Sequence, residues 1–165
     1  MLYIHPEHFP REILAVCRRD PRILPYFDLP FQHAAPGVLA AMGRRNTAEK
    51  NLDLVDEIRA ELPGAVIRST FLVGFPGETD DDHAETYSFL ESLPLSYLHV
   101  FAFSPRPGTP AANLPGAVNR QEKEKRSRQL IRLSESRRMQ FMRSASGQIH
   151  DVLFEKRGHD GTVSG

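Results

Sequence analysis

The stretch from Val66 to Glu78, VIRSTFLVGFPGE, decides the fold. Its first eight residues are β-branched, apolar or aromatic at most positions and read as a strand. Gly74 to Glu78 then turns directly into a helix. Thr79 is placed to cap that helix, and Asp80, Asp81 and Asp82 put negative charge at its positive dipole end. This gives the three aspartates a structural explanation, while consecutive carboxylates project around a helix rather than converging on a cation. Similar apolar runs recur at Leu2 to His5, Tyr26 to Gln32 and Tyr97 to Phe103, with helical patterns between them. The rhythm is that of repeated βα units. Strands joined in this way are expected to be parallel, so the chain reads as α/β with about four parallel strands.

The helical segments carry their own punctuation. Asn46 with Glu49 resembles a capping box, after which Leu52, Val55, Ile58 and Leu62 share a face until Pro63-Gly64. The helix after Thr79 is expected to stop near Pro94. Ser104 to Gly116 holds four prolines and two glycines and predicts a long ordered loop. A long helix follows from about Asn119 to Ser146, with Leu130, Leu133 and Phe141 as anchors and Gly147 as its stop. Ile149 to Glu155 reads as one new strand before the turn residues Gly158, Asp160 and Gly161.

Composition narrows the class. The chain has 165 residues, 25% charged and 40% hydrophobic, in the ordinary globular range. No apolar stretch approaches the roughly 20 residues of a membrane span, and the first residues lack a secretory pattern, so a cytoplasmic location is expected. The single cysteine, Cys17, lies in the apolar stretch Ile13 to Val16 and reads as a packed thiol. One thiol makes neither an internal disulfide nor a protein-held iron-sulfur cluster. Net charge is zero, yet Thr47 to Ser96 holds three basic and eleven acidic residues, whereas Asn119 to Arg143 holds nine basic and three acidic. Such blocks mark solvated helix faces, or a surface for a polyanion.

Strand alternation then sorts the candidate site. Phe27, Leu29 and Phe31 oppose Asp28 and Gln32; Ile67, Phe71 and Val73 oppose Arg68 and Thr70, with Ser69 a polar exception on the apolar side. Leu98, Val100 and Ala102 oppose His99, Phe101 and Phe103, and Tyr3 and His5 share a face in the first run. A parallel sheet packed on both faces has nearly continuous hydrophobic strands, whereas here one face is mixed polar and aromatic. That face reads as a wet lumen. Asp28, Arg68 and His99 are costly to bury unpaired, so they pair with one another, with water or with a polar ligand. Gln32, Gly74 and Ser104 sit at the carboxyl ends of strands, where ligands bind in such sheets. The turn Gly74 to Glu78 offers backbone N–H groups to an anion or a carboxylate, or is glycine-rich for backbone geometry alone. It lacks the lysine of a nucleotide-triphosphate loop and the full dinucleotide fingerprint.

Taken together, LPYFDLPFQHA, GRRNTAE, IRSTFLVGFPGETDDD and HVFAFSPRPGTPAANLP resemble the radical S-adenosylmethionine methylthiotransferases, the family of the RimO and MiaB type. The resemblance runs from about Leu2 to Glu155. It implies that residues 1–146 are the C-terminal part of a TIM-like (β/α) barrel, and that residues 147–165 begin a TRAM-like β module. It implies S-adenosylmethionine and [4Fe-4S] clusters in the parent enzyme, with insertion of a methylthio group at an unactivated C–H bond. The family's CxxxCxxC motif and N-terminal domain are absent and Cys17 matches no cluster position, so no metal ligand is expected here and the chain alone is expected to be inactive. By resemblance, Gln32, Arg68, Thr70, Gly74, Glu78, Phe101, Phe103 and Ser104 lie toward the cofactor. His5, Asp28, His33 and His99 are substrate-side candidates.

FDLPFQHA and IRSTFLVGFPGE resemble the branch that modifies an aspartate of a small-subunit ribosomal protein. HVFAFSPRPGTPA resembles the branches that modify tRNA adenosines. The expected partner is therefore the ribosomal protein or ribosome, alternatively tRNA, together with the missing N-terminal half. Two other classes compete: a non-catalytic RNA-binding piece, separable by salt-dependent affinity, and a small βα protein that binds a metabolite.

Overall fold

The structure is a computed structural model that describes residues 3–149 and 154–164. After a short 3-10 turn at Pro6–His8 come α1 (Glu12–Arg19), β1 (Tyr26–Gln32), α2 (Pro36–Ala41), α3 (Ala48–Glu61), β2 (Val66–Val73), α4 (Asp80–Ser92) and β3 (Tyr97–Ala102). A second 3-10 turn, Pro110–Asn113, interrupts the proline-rich loop before α5 (Arg120–Ala145); β4 (Lys156–Arg157) and β5 (Val163–Ser164) form a hairpin. β1, β2 and β3 make one parallel sheet in that order. The α/β class is as read from the sequence.

Among the described residues the parallel sheet has three strands, where about four are expected. Leu2 lies outside the described residues and Tyr3 to His5 form no strand, for Tyr3 adopts φ +57°, which breaks an extended ladder. The Ile4 N–H still donates to the Asp28 carbonyl at 3.0 Å, so this segment meets the free edge of β1 through one bond. The expected strand Ile149 to Glu155 falls mostly on residues 150–153, outside the described residues. Ile149, Phe154 and Glu155 are not in a strand, and the hairpin begins one residue later at Lys156.

The helix boundaries follow from their caps. Thr79 accepts from the Asp82 N–H, and Asp82 accepts from the Thr79 N–H, a reciprocal box that satisfies two free donors. Asn119 caps α5 by accepting from Glu122. For α3 the cap is Thr47, not Asn46: the Thr47 hydroxyl accepts from the Lys50 N–H, and the Asn46 amide instead donates to the buried Asn51. Leu54, absent from the predicted face, is buried in α3 alongside Val55 and Ile58.

The core lies on one side of the sheet. Phe27, Leu29, Phe31, Ile67, Phe71, Val73 and Leu98 face Leu54, Val55 and Ile58 of α3, Leu90 of α4, Leu130 of α5 and Leu14 and Cys17 of α1. Each fully buried side chain of this kind contributes about 1.5–3 kcal/mol. Leu130 and Leu133 anchor α5 as expected, but Phe141 is 38% exposed and lines an open pocket with Tyr26 and Val66 at the start of β1 and β2. Ser69, the polar exception, sits at a register break between Leu29 and Gln32 of β1.

Charge segregation resolves into pairs between neighbouring helices. Arg11 and Arg18 beside α3 reach Glu57 and Glu61, and Arg126 of α5 reaches Asp80 of α4. The acidic and basic blocks are thus partly complementary faces of one packed layer.

Candidate functional site

The opposite face of the sheet is polar, as the alternation implies. Asp28 of β1, Arg68 of β2 and His99 of β3 meet there: Arg68 forms an ion pair with Asp28, and its Nη1 donates to His99 Nε2 at 3.3 Å. The guanidinium also stands 6.0 Å from the centroid of the Tyr97 ring. Below this trio, Tyr26 and Tyr97 share a hydrogen bond of 2.7 Å. The Asp28 carboxylate holds the Arg68 guanidinium above its ordinary pKa against the opposing effect of burial. Part of this network is therefore satisfied internally. Asp28 Oδ1 and Arg68 Nε, both buried, find no hydrogen-bond partner among the described residues, and such atoms invite a polar ligand or water.

Thr70 continues the same face one step along β2 and is buried, in register with His99. Phe101 is 54% exposed and stacks edge-on against His99, so the face is open toward the end of β3. Gln32 ends β1 with φ +73°. It lines a cleft of about 470 Å³ at the carboxyl ends of β1 and β2, together with Arg44, Leu72, Phe75 and Ala111. This is where ligands bind in parallel α/β sheets.

Arg44 carries no signal of its own in the sequence, where it is one of two arginines in a loop; only its place in GRRNTAE marks it. Its Nη1 donates to His5 Nε2 at 2.7 Å, which puts the neutral His5 proton on Nδ1. Burial pushes the Arg44 guanidinium below its ordinary pKa, offset in part by Glu7. It contacts no carboxylate among the described residues. His5 thus joins the cleft through Arg44 rather than through the Asp28 network.

The loop after β2 faces inward. Gly74 and Phe75 donate their N–H groups to Glu78 Oε2, the latter at 3.2 Å. The carboxylate that this turn receives is its own. Glu78 is buried; Arg126 Nη1 lies 3.0 Å from its Oε1, with His83 Nδ1 at 3.7 Å and His33 Nε2 at 3.9 Å. Burial would raise the Glu78 pKa, but His33, the Gly74 N–H and Arg126 outweigh it and hold the carboxyl below its ordinary range. His33, 1% exposed, accepts from the Ala35 N–H at 3.1 Å and contacts Thr86 of α4. The structure does not bring His33 together with Asp28 and His99.

Gly74 adopts φ +75°, and a Cβ there would collide with the Lys123 stem, which lies across it. Lys123 Nζ donates to the Phe103 carbonyl at 3.0 Å. The Phe103 ring packs edge-on against Phe75 at 5.2 Å. Ser104, just past β3, is exposed. Of the residues read toward the cofactor, Gln32 lines the cleft directly, Phe103 supports it through Phe75, and Gly74 and Glu78 build the loop that carries Phe75.

Three parallel strands with helices packed on one face, a polar opposite face and a cleft at the carboxyl ends define part of a (β/α) barrel. The chain belongs to the radical SAM superfamily, whose family model matches residues 2–90, more than half of it. Among curated proteins, it is 36% identical over 160 residues to the ribosomal protein uS12 methylthiotransferase RimO of Alkaliphilus oremlandii, covering 97% of this chain and 36% of that protein. It is 40% identical to the RimO of Synechococcus sp. (strain RCC307), covering 93% of this chain and 32% of that protein. A tRNA-2-methylthio-N(6)-dimethylallyladenosine synthase of Bartonella bacilliformis is 38% identical, covering 98% and 35%. The chain therefore spans about a third of the length of the curated relatives it matches.

Solved structures agree on the fold. Coproporphyrinogen III oxidase (HemN) from Escherichia coli, a radical SAM enzyme, superposes with a TM-score of 0.67 at 17% identity, over 81% of this chain and 31% of that one. The radical S-adenosylmethionine methyltransferase TsrM from Kitasatospora setae gives 0.56 at 20% identity, over 67% and 21%. No helix among the described residues is long and apolar enough to cross a membrane.

Proposed function

We propose that this chain supplies the cofactor cleft and part of the lumen of a radical SAM methylthiotransferase, acting on an aspartate of a small-subunit ribosomal protein in the cytoplasm. The observation that carries the cofactor assignment is Arg44, a half-buried cation at the cleft with no carboxylate in contact among the described residues. S-Adenosylmethionine fits the lining: its carboxylate matches Arg44, its hydroxyls match the Gln32 amide, and its purine suits Leu72 and Phe75. A cleft of about 470 Å³ lies within the usual range of about 300–1,000 Å³ for such ligands. When bound, the cofactor is the source of the radical that attacks the C–H bond. The chain's own residues bind and orient: Arg44 fixes one end, Gln32 and Phe75 the other walls, and Asp28, Arg68 and His99 present polar atoms to the lumen.

The iron-sulfur cluster does not fit this chain. Its one cysteine, Cys17, is buried among the apolar side chains of α1 and the core, with no second thiol in the sequence. The cluster belongs with a further portion of the enzyme, consistent with the third of the relatives' length represented here. We read residues 1–146 as barrel and 147–165 as the beginning of a TRAM-like module.

The ribosomal branch is favoured by FDLPFQHA and by the uS12-modifying relatives. The tRNA branch is kept open by HVFAFSPRPGTPA and by the adenosine-modifying relative at 38% identity. The test joins this chain to the cluster-bearing portion of a RimO relative and supplies both substrates. A methylthio group on the ribosomal protein, read by mass spectrometry, is the expected result. Modification of tRNA alone moves the assignment to the other branch, and modification of neither removes the methylthiotransferase reading.

A further inference from the structure

Arg126 is 3% exposed, an unusual place for a guanidinium, and its partners explain why it is there. Nη1 lies 3.0 Å from Glu78 Oε1 and donates to the Glu78 carbonyl at 3.2 Å; Nη2 donates to Asp80 Oδ1 at 2.7 Å. The other oxygen of Glu78 holds the N–H groups of Gly74 and Phe75. One turn earlier on the same face of α5, Lys123 lies over Gly74 and binds the Phe103 carbonyl. Helix α5 thus grips the ends of both β2 and β3. None of these groups lines the 470 Å³ cleft, but Phe75, carried by the gripped loop, does.

We propose that Arg126 is a positioning residue: acting through Glu78, it fixes the Gly74-Phe75 backbone and so sets the Phe75 wall of the cofactor cleft. This deepens the cofactor reading and rests on it for the nature of the ligand. The physical reason is directional. A lone buried carboxylate would be free to turn toward His33 or His83, whereas Arg126 Nη1, held by its hydrogen bond to the Glu78 carbonyl, stands 3.0 Å from Oε1 as an ion-pair partner and biases the carboxylate to one orientation. That orientation aims Oε2 at the two N–H groups. A planar guanidinium that reaches Glu78 through Nη1 and Asp80 through Nη2 does this in a way that a point charge does not.

The test uses the full chain and needs no cofactor. Amide hydrogen exchange is followed at Gly74 and Phe75 in the native protein and in Arg126→Gln, Arg126→Lys, Glu78→Gln and the Arg126→Gln/Glu78→Gln double variant. Arg126→Gln is expected to speed exchange at those two amides by about tenfold or more, with Arg126→Lys recovering part of it and amides of β1 unchanged. The double variant is expected to exchange no faster than Glu78→Gln alone, since Arg126 acts through Glu78. Unchanged protection in Arg126→Gln, or additive effects in the double variant, overturns the proposal. If Arg126→Gln fails to fold, Asp80→Asn removes one anchor from the surface. It is expected to give a smaller loss confined to Gly74 and Phe75, and no loss overturns the proposal. Affinity for S-adenosylhomocysteine, measured in this chain joined to the cluster-bearing portion of a RimO relative, is the second arm: Arg126→Gln is expected to weaken it severalfold with recovery in Arg126→Lys, and equal affinity in all three overturns the positioning role. Native enzyme that binds none of this ligand instead removes the cofactor reading and leaves the exchange result standing.

Discussion

Ser69 of β2 mends the register break in β1 by binding the Leu29 carbonyl: its hydroxyl donates at 2.7 Å and accepts from the Phe31 N–H at 3.3 Å. Pro30, between them, has no N–H to give the ladder. A side chain has replaced a missing backbone bond in the middle of a parallel sheet. Ser69→Ala is therefore expected to leave a buried carbonyl and a buried N–H unpaired and to cost about 1–3 kcal/mol. Denaturant unfolding checks this; a loss near zero would mean that the break heals itself.

Asp28 and Arg68 are expected to behave as a unit. Asp28→Asn removes the carboxylate and strands a largely buried guanidinium, which costs about 3–5 kcal/mol when a buried pair is broken. Pairing Asp28→Leu with Arg68→Met should recover much of that loss. Equal destabilisation by the single and double variants in chemical denaturation would show that the two charges are not coupled.

Gly74 combines two constraints that can be separated. Gly74→Ala is expected to destabilise by about 1–2 kcal/mol from the left-handed backbone alone, and by more from the collision with Lys123. Adding Lys123→Ala should relieve the collision and leave the backbone cost. Thermal melts of the two variants give the partition, and identical melting points would deny the close approach.

Acid sensitivity follows from the buried cluster. Burial holds His83 below its ordinary pKa, against Gln129 and Glu78, so the unfolded chain takes up this proton first as pH falls through about 6.5. Stability linked to His83 is therefore complete above that value and lost as pH falls through its lower folded value. Glu78 is also lowered in the fold, so its contribution is present above about 4.3 and lost as pH falls further. Both act in the same direction. The unfolding free energy is expected to climb from about pH 3 to about pH 6.5, Glu78 supplying the lower part and His83 the upper, and His83→Gln should flatten the upper part of that climb. A native protein equally stable across this window would contradict the assignment.

Arg44→Ala, in this chain joined to the cluster-bearing portion of a RimO relative, is expected to weaken S-adenosylmethionine binding by about tenfold or more, the loss of one charge-assisted bond. Decarboxylated cofactor analogues should not discriminate between native enzyme and variant. Calorimetric titration of both ligands decides it; equal loss for both would place Arg44 elsewhere than at the carboxylate.

The sequence carried the parts whose signals are local. Alternation in three strands sorted Asp28, Arg68, Thr70 and His99 onto one face, and the Thr79 and Asn119 caps marked α4 and α5. Local signals also misled. Leu2 to His5 has strand composition, yet the backbone of Tyr3 breaks it, and Asn46 with Glu49 has the pattern of a capping box, yet the cap is Thr47. Ser69 looked like a blemish on the apolar side until the break beside Pro30 gave it a partner 40 residues away. Arg126 and Glu78 are 48 residues apart and read separately as a basic helix and a loop acid. Nothing in either stretch alone announces a contact between them.

The hydrogen bond between Tyr26 and Tyr97 has a practical corollary. With no tryptophan in the chain, four tyrosines carry its near-ultraviolet signal. Burial, with the bond to Tyr97, leaves the Tyr26 phenol pushed up to about 12, so it stays neutral after ordinary phenols have ionised near about 10. The lower rim of the sheet thereby carries an intrinsic chromophore, and an alkaline absorbance titration reports without any label whether β1 and β3 remain clasped across β2.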